Sequence, residues 1–307
     1  MSVLRLFKPG KNLMCTSLRK YAINVYKNCS HGCSYCYRKA FSYKAHEKSF
    51  IDKLKEFFGL ERMEKAEPRY NILKKLEREV KIKEKLPVYL SPATDPYCKE
   101  EKEYRFTRKV IQILSSNSFP LMVTTKSDLV LRDLDILKDS KCVVSFSITT
   151  LDRKKAMIVE KYAPHPEKRL EALQELSELG IPTVMRIQPI IPFFNDDEEG
   201  LEELVKEGLY AGAKHFTFGT LKLVNEAWRR MRRKLPRETI PKLEKVYFER
   251  PDRRWKYYYA EESVRLEIVK RLVKLFKKHK VKSFGECREG LGFITTSCDG
   301  QHLIVGL

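Results

Sequence analysis

The chain has 307 residues, enough to bury a sizeable core in one large domain or two smaller ones. Lys and Arg number 61 against 41 acidic residues, a formal charge of +20; balanced Lys/Glu-rich helices would leave no such excess, and it favours a polyanionic partner, nucleic acid by default. No apolar run is long enough to cross a bilayer, the first ten residues lack a secretory stretch, and the eight cysteines read as thiols of a reducing cytoplasm.

Along the chain, short apolar, β-branched runs alternate with helical stretches. Tyr21–Val25 reads as a strand feeding a cysteine-rich loop, with polar helices following to about Glu84. Leu86–Leu90 is a second strand and ends in the loop Ser91-Pro92-Ala93-Thr94-Asp95-Pro96-Tyr97. A helix near Phe106–Ser115, a strand at Leu121–Thr125 and a helix around Leu131–Lys138 come next. Cys142–Ile148 is a fourth strand. The helix Pro166–Leu179 stops at Gly180, Thr183–Ile191 is a fifth strand, a helix runs from Glu198 to Tyr210, and His215–Leu223 is a sixth strand. Six strand–helix repeats imply parallel strands and right-handed crossovers, hence an α/β fold, a partial (β/α)6 barrel of the TIM type. Functional groups of such a barrel lie on loops at the C-terminal ends of its strands.

The last third reads differently. A basic run at Asn225–Lys234 leads through a Pro-containing linker to Val246–Tyr259, a long amphipathic helix at Glu261–His279, and a small hairpin joining Val281–Phe284 to Phe293–Thr296. The expected division is a barrel over residues 1–225 and a basic, aromatic-rich region over 226–307.

The chemistry is concentrated in Asn28-Cys29-Ser30-His31-Gly32-Cys33-Ser34-Tyr35-Cys36-Tyr37, with cysteines spaced C-x3-C-x2-C. Soft thiolates so close on one loop suit an iron–sulfur cluster. Three ligands on a four-iron cluster leave one iron open to another molecule, which turns an electron carrier into a catalyst. A structural zinc site would need a fourth ligand; His31 lies at an unusual spacing for one, and Cys15, Cys98, Cys142, Cys287 and Cys298 supply no second C-x2-C pair.

This motif resembles the signature of the radical SAM superfamily. Its Tyr-Cys-Tyr ending, together with Ser91–Tyr97, resembles spore photoproduct lyase and its relatives over roughly residues 20–225. The resemblance implies a 4Fe-4S cluster held by Cys29, Cys33 and Cys36, with S-adenosylmethionine (SAM) on the open iron as the source of a 5′-deoxyadenosyl radical. It places Tyr37 against SAM and makes Tyr35 and Tyr37 the tyrosine pair of a hydrogen relay. It assigns Lys126 to the SAM carboxylate, Ser147 to the neighbourhood of the methionine, Thr94 to the position of a serine near SAM, and Gln188, in Arg186–Ile191, to the stretch flanking the adenine. A lysine at a strand end suits a carboxylate, and an aromatic face suits a sulfonium. The lyase carries a donor cysteine where this chain has Pro92; Cys98, in the same loop, is the nearest thiol and the candidate substitute. Cys142 reads as core, and Cys287 and Cys298 as a thiol pair, a disulfide or ligands of an extra cluster.

Cations and aromatics interleave in Trp228–Lys234 and in Arg250–Tyr259, as phosphate contacts and base stacking require. The leading expectation is therefore a cytoplasmic enzyme abstracting hydrogen from a nucleic-acid base, DNA rather than RNA, for lesion repair or base modification. A ferredoxin or flavodoxin would serve as the reductant, and no membrane is involved. The alternatives are a radical SAM enzyme of a small molecule or peptide, and a non-catalytic, zinc-stabilised nucleic-acid-binding protein.

Overall fold

The computed structural model describes residues 2–7, 19–38, 64–250 and 252–305. Cys15, the polar helices expected before residue 64, and Pro251 lie outside the described residues. The main sheet starts with β1 (Arg5–Phe7), antiparallel to β2 (Lys20–Ile23). It continues in parallel through β3 (Val88–Leu90), β4 (Leu121–Thr125), β5 (Cys142–Ser147), β6 (Thr183–Ile190) and β7 (His215–Thr220). A small antiparallel sheet is formed by β8 (Lys222–Leu223), β9 (Asp252–Arg254) and β10 (Tyr257–Tyr259), in the order β8-β10-β9. The last strand, β11 (Phe284–Glu286), returns to the main sheet and pairs in parallel with β7.

The helices on the outer face include α1 (Leu73–Ile82), α2 (Glu101–Tyr104), α3 (Phe106–Ser116), α4 (Leu134–Leu137), α5 (Arg153–Val159), α6 (Pro166–Glu178) and α7 (Glu198–Tyr210). After the sixth parallel strand come α8 (Asn225–Met231), α9 (Thr239–Glu244), α10 (Glu262–Lys278) and α11 (His302–Val305). Local chemistry sets their ends. Pro166 opens α6, where its missing N–H costs nothing, and Gly180 follows its end at φ +78°. Asp197 accepts from the Gly200 N–H at 2.9 Å and caps α7.

Alternation along the strands separates two faces. Val144 and Phe146 of β5, Met185 and Ile187 of β6, and Phe216 and Phe218 of β7 join the helices in the main core. Val143 and Val184 point the other way, into the barrel, where they meet Met122 and Ile304 of α11. The six parallel strands and the barrel-type α/β fold are those expected from the sequence.

Three features differ from the sequence reading. The sixth strand ends at Thr220, whose N–H and hydroxyl are taken by the buried Glu289 at 2.8 and 2.9 Å, and Lys222–Leu223 turns away into the small sheet. The C-terminal hairpin pairs Gly285 with Ile294, and its first arm is β11 of the main sheet. A division at residue 225 would therefore cut across this sheet. It would also split the main core, to which Ile268, Leu272 and Phe276 of α10 contribute.

Candidate active site

The cysteine loop follows β2 at the C-terminal edge of the parallel strands, where barrels of this kind carry their chemistry. Its backbone is stapled from two sides. The Ser34 N–H donates to the Val159 carbonyl (2.8 Å), and the Tyr162 N–H donates to that of His31 (3.1 Å). From α8, the buried Arg230 donates Nε to the Ser34 carbonyl (3.1 Å) and Nη2 to that of Cys36 (2.6 Å). Gly32 sits at φ +64°, and a Cβ there would stand 2.5 Å from Cδ2 of Tyr162. Only glycine satisfies both the backbone angle and that contact.

Two buried charge networks brace the loop. In one, His31 Nε2 lies 3.0 Å from Asp95 Oδ2, and Asp95 also accepts from Thr125 Oγ1 and from the Lys126 N–H, both at 2.7 Å. Burial alone would raise the Asp95 carboxyl, but His31 and the hydrogen bonds hold it down to about 2. His31 is raised in turn: burial opposes its charge and Asp95 more than compensates. In the other, Glu160 is ion-paired with Arg169, accepts from the Tyr35 hydroxyl, and lies 3.8 Å from Lys126 Nζ. Burial opposes the Glu160 charge, yet Arg169 and Lys126 keep it ionised below the usual range. Arg169 also donates to the Ser147 carbonyl at 2.9 Å, tying this network to the end of β5.

The thiols of Cys29, Cys33 and Cys36 lie close enough to raise one another's pKa. Burial is the main cause at Cys33 and Cys36, and a hydrogen bond with Cys98 leads at Cys29. Among the described residues, no three His, Cys, Asp or Glu side chains converge tightly enough for a single metal ion. With His31 committed to Asp95, the loop offers three soft donors and no Cys3His shell. That donor set fits a cluster with one site left for another ligand.

The remaining candidate residues fall around this loop. Tyr37 donates to the Pro92 carbonyl (2.9 Å) and packs edge-on against Tyr257 at 6.1 Å. Thr94 presents a buried hydroxyl with no hydrogen-bond partner among the described residues, the kind of group a bound cofactor satisfies. Lys126 stands over the Tyr35 ring (5.8 Å) as well as near Glu160, and Ser147 is buried at the end of β5. Gln188 accepts from Arg186 Nη1 at 2.8 Å.

Cys98 is placed differently from its expected role. It is wholly buried, its thiol donates to the Asp95 carbonyl at 3.0 Å, and it sits against Cys29. A hydrogen donor must reach its substrate, whereas Cys98 packs under the ligand loop. Cys142 is core, Cys298 is buried and Cys287 is half-buried. The run Trp228–Lys234 is also divided: Trp228, Arg230 and Met231 are buried, while Arg229, Arg232, Arg233 and Lys234 are exposed. Sequence reasoning missed Asp95, Glu160, Arg169 and the structural use of Arg230, because no local spacing links them to the cysteines.

Comparison with known proteins agrees with this geometry. A family model described as the Radical SAM superfamily matches residues 23–206, more than half of the chain. An uncharacterised protein of Methanocaldococcus jannaschii is 32% identical over 191 residues, covering 58% of this chain and 63% of its own. An uncharacterised protein of Acidianus two-tailed virus is 30% identical over 203 residues, covering 61% and 62%. The chain thus spans less than two thirds of the length of these curated relatives. Among solved structures, spore photoproduct lyase complexed with dinucleoside spore photoproduct has a TM-score of 0.63 at 17% identity, covering 88% of this chain and 78% of that one. Streptococcus suis SuiB bound to S-adenosylmethionine has a TM-score of 0.56 at 12% identity, covering 91% and 54%; both likenesses concern the fold. With a three-thiol loop at the strand ends of a partial barrel, and the family match across it, the chain belongs to the radical SAM superfamily, whose members work with a 4Fe-4S cluster and S-adenosylmethionine.

Proposed function

We propose that the protein is an enzyme related in chemistry to spore photoproduct lyase, abstracting hydrogen from a nucleic-acid base, with DNA preferred over RNA. The observation that carries this reading is the β9–β10 hairpin. Arg254 and Tyr257 are paired across a two-residue turn, Trp255-Lys256. Trp255 is 57% exposed and sits at φ +56°, a left-handed angle that a bulky residue rarely adopts. Such strain persists where the surrounding structure enforces it, often at functional sites. The Lys256 ammonium lies 5.5 Å from the Trp255 ring, and Arg253 and Arg254 lie over Tyr258 and Tyr259. Tyr257 joins this surface to the cysteine loop through its contact with Tyr37. An exposed ring among cations, one side chain away from the loop, suits a base unstacked from its strand.

When bound, the cluster and SAM supply a 5′-deoxyadenosyl radical. The protein's own groups do the rest. Cys29, Cys33 and Cys36 hold the cluster, and the Asp95 and Glu160 networks keep the loop in place. Lys126, Ser147, Thr94 and Gln188 are the candidate contacts of SAM. Tyr35 and Tyr37 are the candidate hydrogen relay, each oriented by its acceptor, Glu160 or the Pro92 carbonyl. A ferredoxin- or flavodoxin-type protein would deliver the electron. No described helix is long and apolar enough to cross a membrane, and an oxygen-sensitive cluster suits the cytoplasm.

The test is an oxygen-free reaction of cluster-loaded protein with SAM, a reductant and native or irradiated DNA, scored by mass spectrometry of the digested nucleosides. The proposal expects a changed nucleoside, together with DNA retention that falls steeply with added salt. Radical formation with every nucleoside unchanged and no retention would favour a small-molecule or peptide substrate.

A further inference from the structure

Beneath the cysteine loop, the inner face of the sheet carries a buried arginine with no ion-pair partner among the described residues. Arg186 lies on β6 between Val184 and Gln188, and Val184 contacts Met122, Val143 and Ile304 inside the barrel. Alternation puts Arg186 on the same inner face, and the residue is 9% exposed. Nη1 donates to Gln188 Oε1, but Nε has no hydrogen-bond partner among the described residues. No described carboxylate lies within ion-pair distance of Arg186. Burial opposes its charge; the groups that favour it are Tyr89, Cys287, Asp299 and Cys298, of which the one carboxylate, Asp299, is paired with Lys20.

The neighbours are unsatisfied as well. In register, Arg186 stands beside Thr217 on β7 and Ser147 on β5, and Ser145 is one row deeper on β5. Ser145 (3% exposed) and Thr217 (0%) follow residues of the outer core, so both hydroxyls face inward. Ser145 Oγ and Thr217 Oγ1 each have no hydrogen-bond partner among the described residues. Buried polar groups are almost always paired, and a buried guanidinium with no anion is costly. Three such groups on adjacent strands mark a site that a ligand completes, and the ligand must be an acceptor carrying negative charge.

We infer that Arg186, Ser145 and Thr217 form an oxyanion site inside the barrel, taking a phosphate or carboxylate group of the substrate. Arg186 is two residues further from the cysteine end of β6 than Gln188, about 6 to 7 Å along the strand. The anion is therefore held below Gln188, in the row of Ser147 and the row beneath it, and its persistence with SAM present is what assigns it to a second molecule. Gln188 aims the guanidinium, and the two hydroxyls donate to the remaining oxygens. The inference rests on the barrel interior being the reaction chamber, but it concerns binding and is measured without turnover.

The experiment titrates full-length, cluster-loaded protein, without oxygen and at matched ionic strength, with inorganic phosphate, acetate, thymidine and thymidine 5′-monophosphate, each with and without SAM. Calorimetry and melting temperature are the readouts. The expected result is binding of phosphate or acetate that persists with SAM present, and tighter binding of the nucleotide than of thymidine if the anion is a phosphate. Preference for acetate would identify a carboxylate substrate. Arg186→Gln should weaken anion binding about tenfold or more, as the loss of one charge-assisted bond implies. If Arg186→Gln does not fold, Ser145→Ala/Thr217→Val keeps the guanidinium and should still weaken binding several-fold. Absence of anion binding in the wild type, unchanged affinity in the folded variants, or displacement of phosphate by SAM would each overturn the inference. None of these results depends on radical formation or on DNA retention, so the functional proposal stands or falls separately.

Discussion

Gly32 shows how much of the site depends on single residues. An alanine there would sit in the left-handed region, at a cost of about 1–2 kcal/mol, and would also press on Tyr162. Gly32→Ala is expected to lower both the melting temperature and the iron bound per chain, and Gly32→Ala/Tyr162→Ala to recover part of each. Arg230 and Arg229 offer a second contrast on one helix. Arg230→Met should reduce iron retention, because two loop carbonyls lose their donor. Arg229→Gln should leave iron unchanged and reduce the slope of log affinity for DNA against log salt by about 0.7 to 0.9 if it touches a phosphate. The three cysteines were legible because their spacing is local. Their supports were not: Tyr35 meets Glu160 125 residues away, and Arg230 meets Ser34 across 196. Side chains at such separations come together only through the fold.

The strands that were legible are β2 to β7, whose apolar, β-branched runs are long enough to show a pattern, with helices between them. β1, β9 and β10 were missed, β8 was read as the end of the sixth strand and β11 as an arm of a separate hairpin; each is two or three residues, too short for a period of its own to register. β11 decides the shape of the C-terminal third by joining β7, and it brings Ser283 against His215 at 2.8 Å. Burial first, then the neighbouring His302, lowers His215 from 6.5 to about 3. The folded protein therefore holds this ring neutral while the unfolded chain protonates it. Its contribution to stability is complete above pH 6.5 and declines as pH falls from there towards 3. Urea midpoints measured across this window should fall with acidification in the wild type, and His215→Asn should flatten the fall.

Across the whole molecule, the C-terminal segment closes the barrel from the end opposite the cysteine loop. Lys20 at the start of β2 is paired with Asp299, 279 residues later, and both are almost wholly buried. Breaking such a pair from one side leaves a bare charge, so Lys20→Met should cost about 3–5 kcal/mol. Lys20→Met/Asp299→Leu should cost clearly less, and denaturant unfolding of the two variants separates a charge effect from a packing effect. The barrel itself was readable from six strand–helix repeats. The path of the tail through it was not, since a buried Lys–Asp pair carries no sequence period. The proposed chemistry depends on Cys29, Cys33 and Cys36 holding an iron–sulfur cluster with room for SAM. Its most direct test is 5′-deoxyadenosine production by protein reconstituted with iron and sulfide under anaerobic conditions and given SAM and a reductant. The account predicts about four irons per chain and release of the nucleoside, both lost in Cys29→Ala, Cys33→Ala or Cys36→Ala. A colourless protein that binds zinc, or wild-type protein that leaves SAM intact, would contradict it.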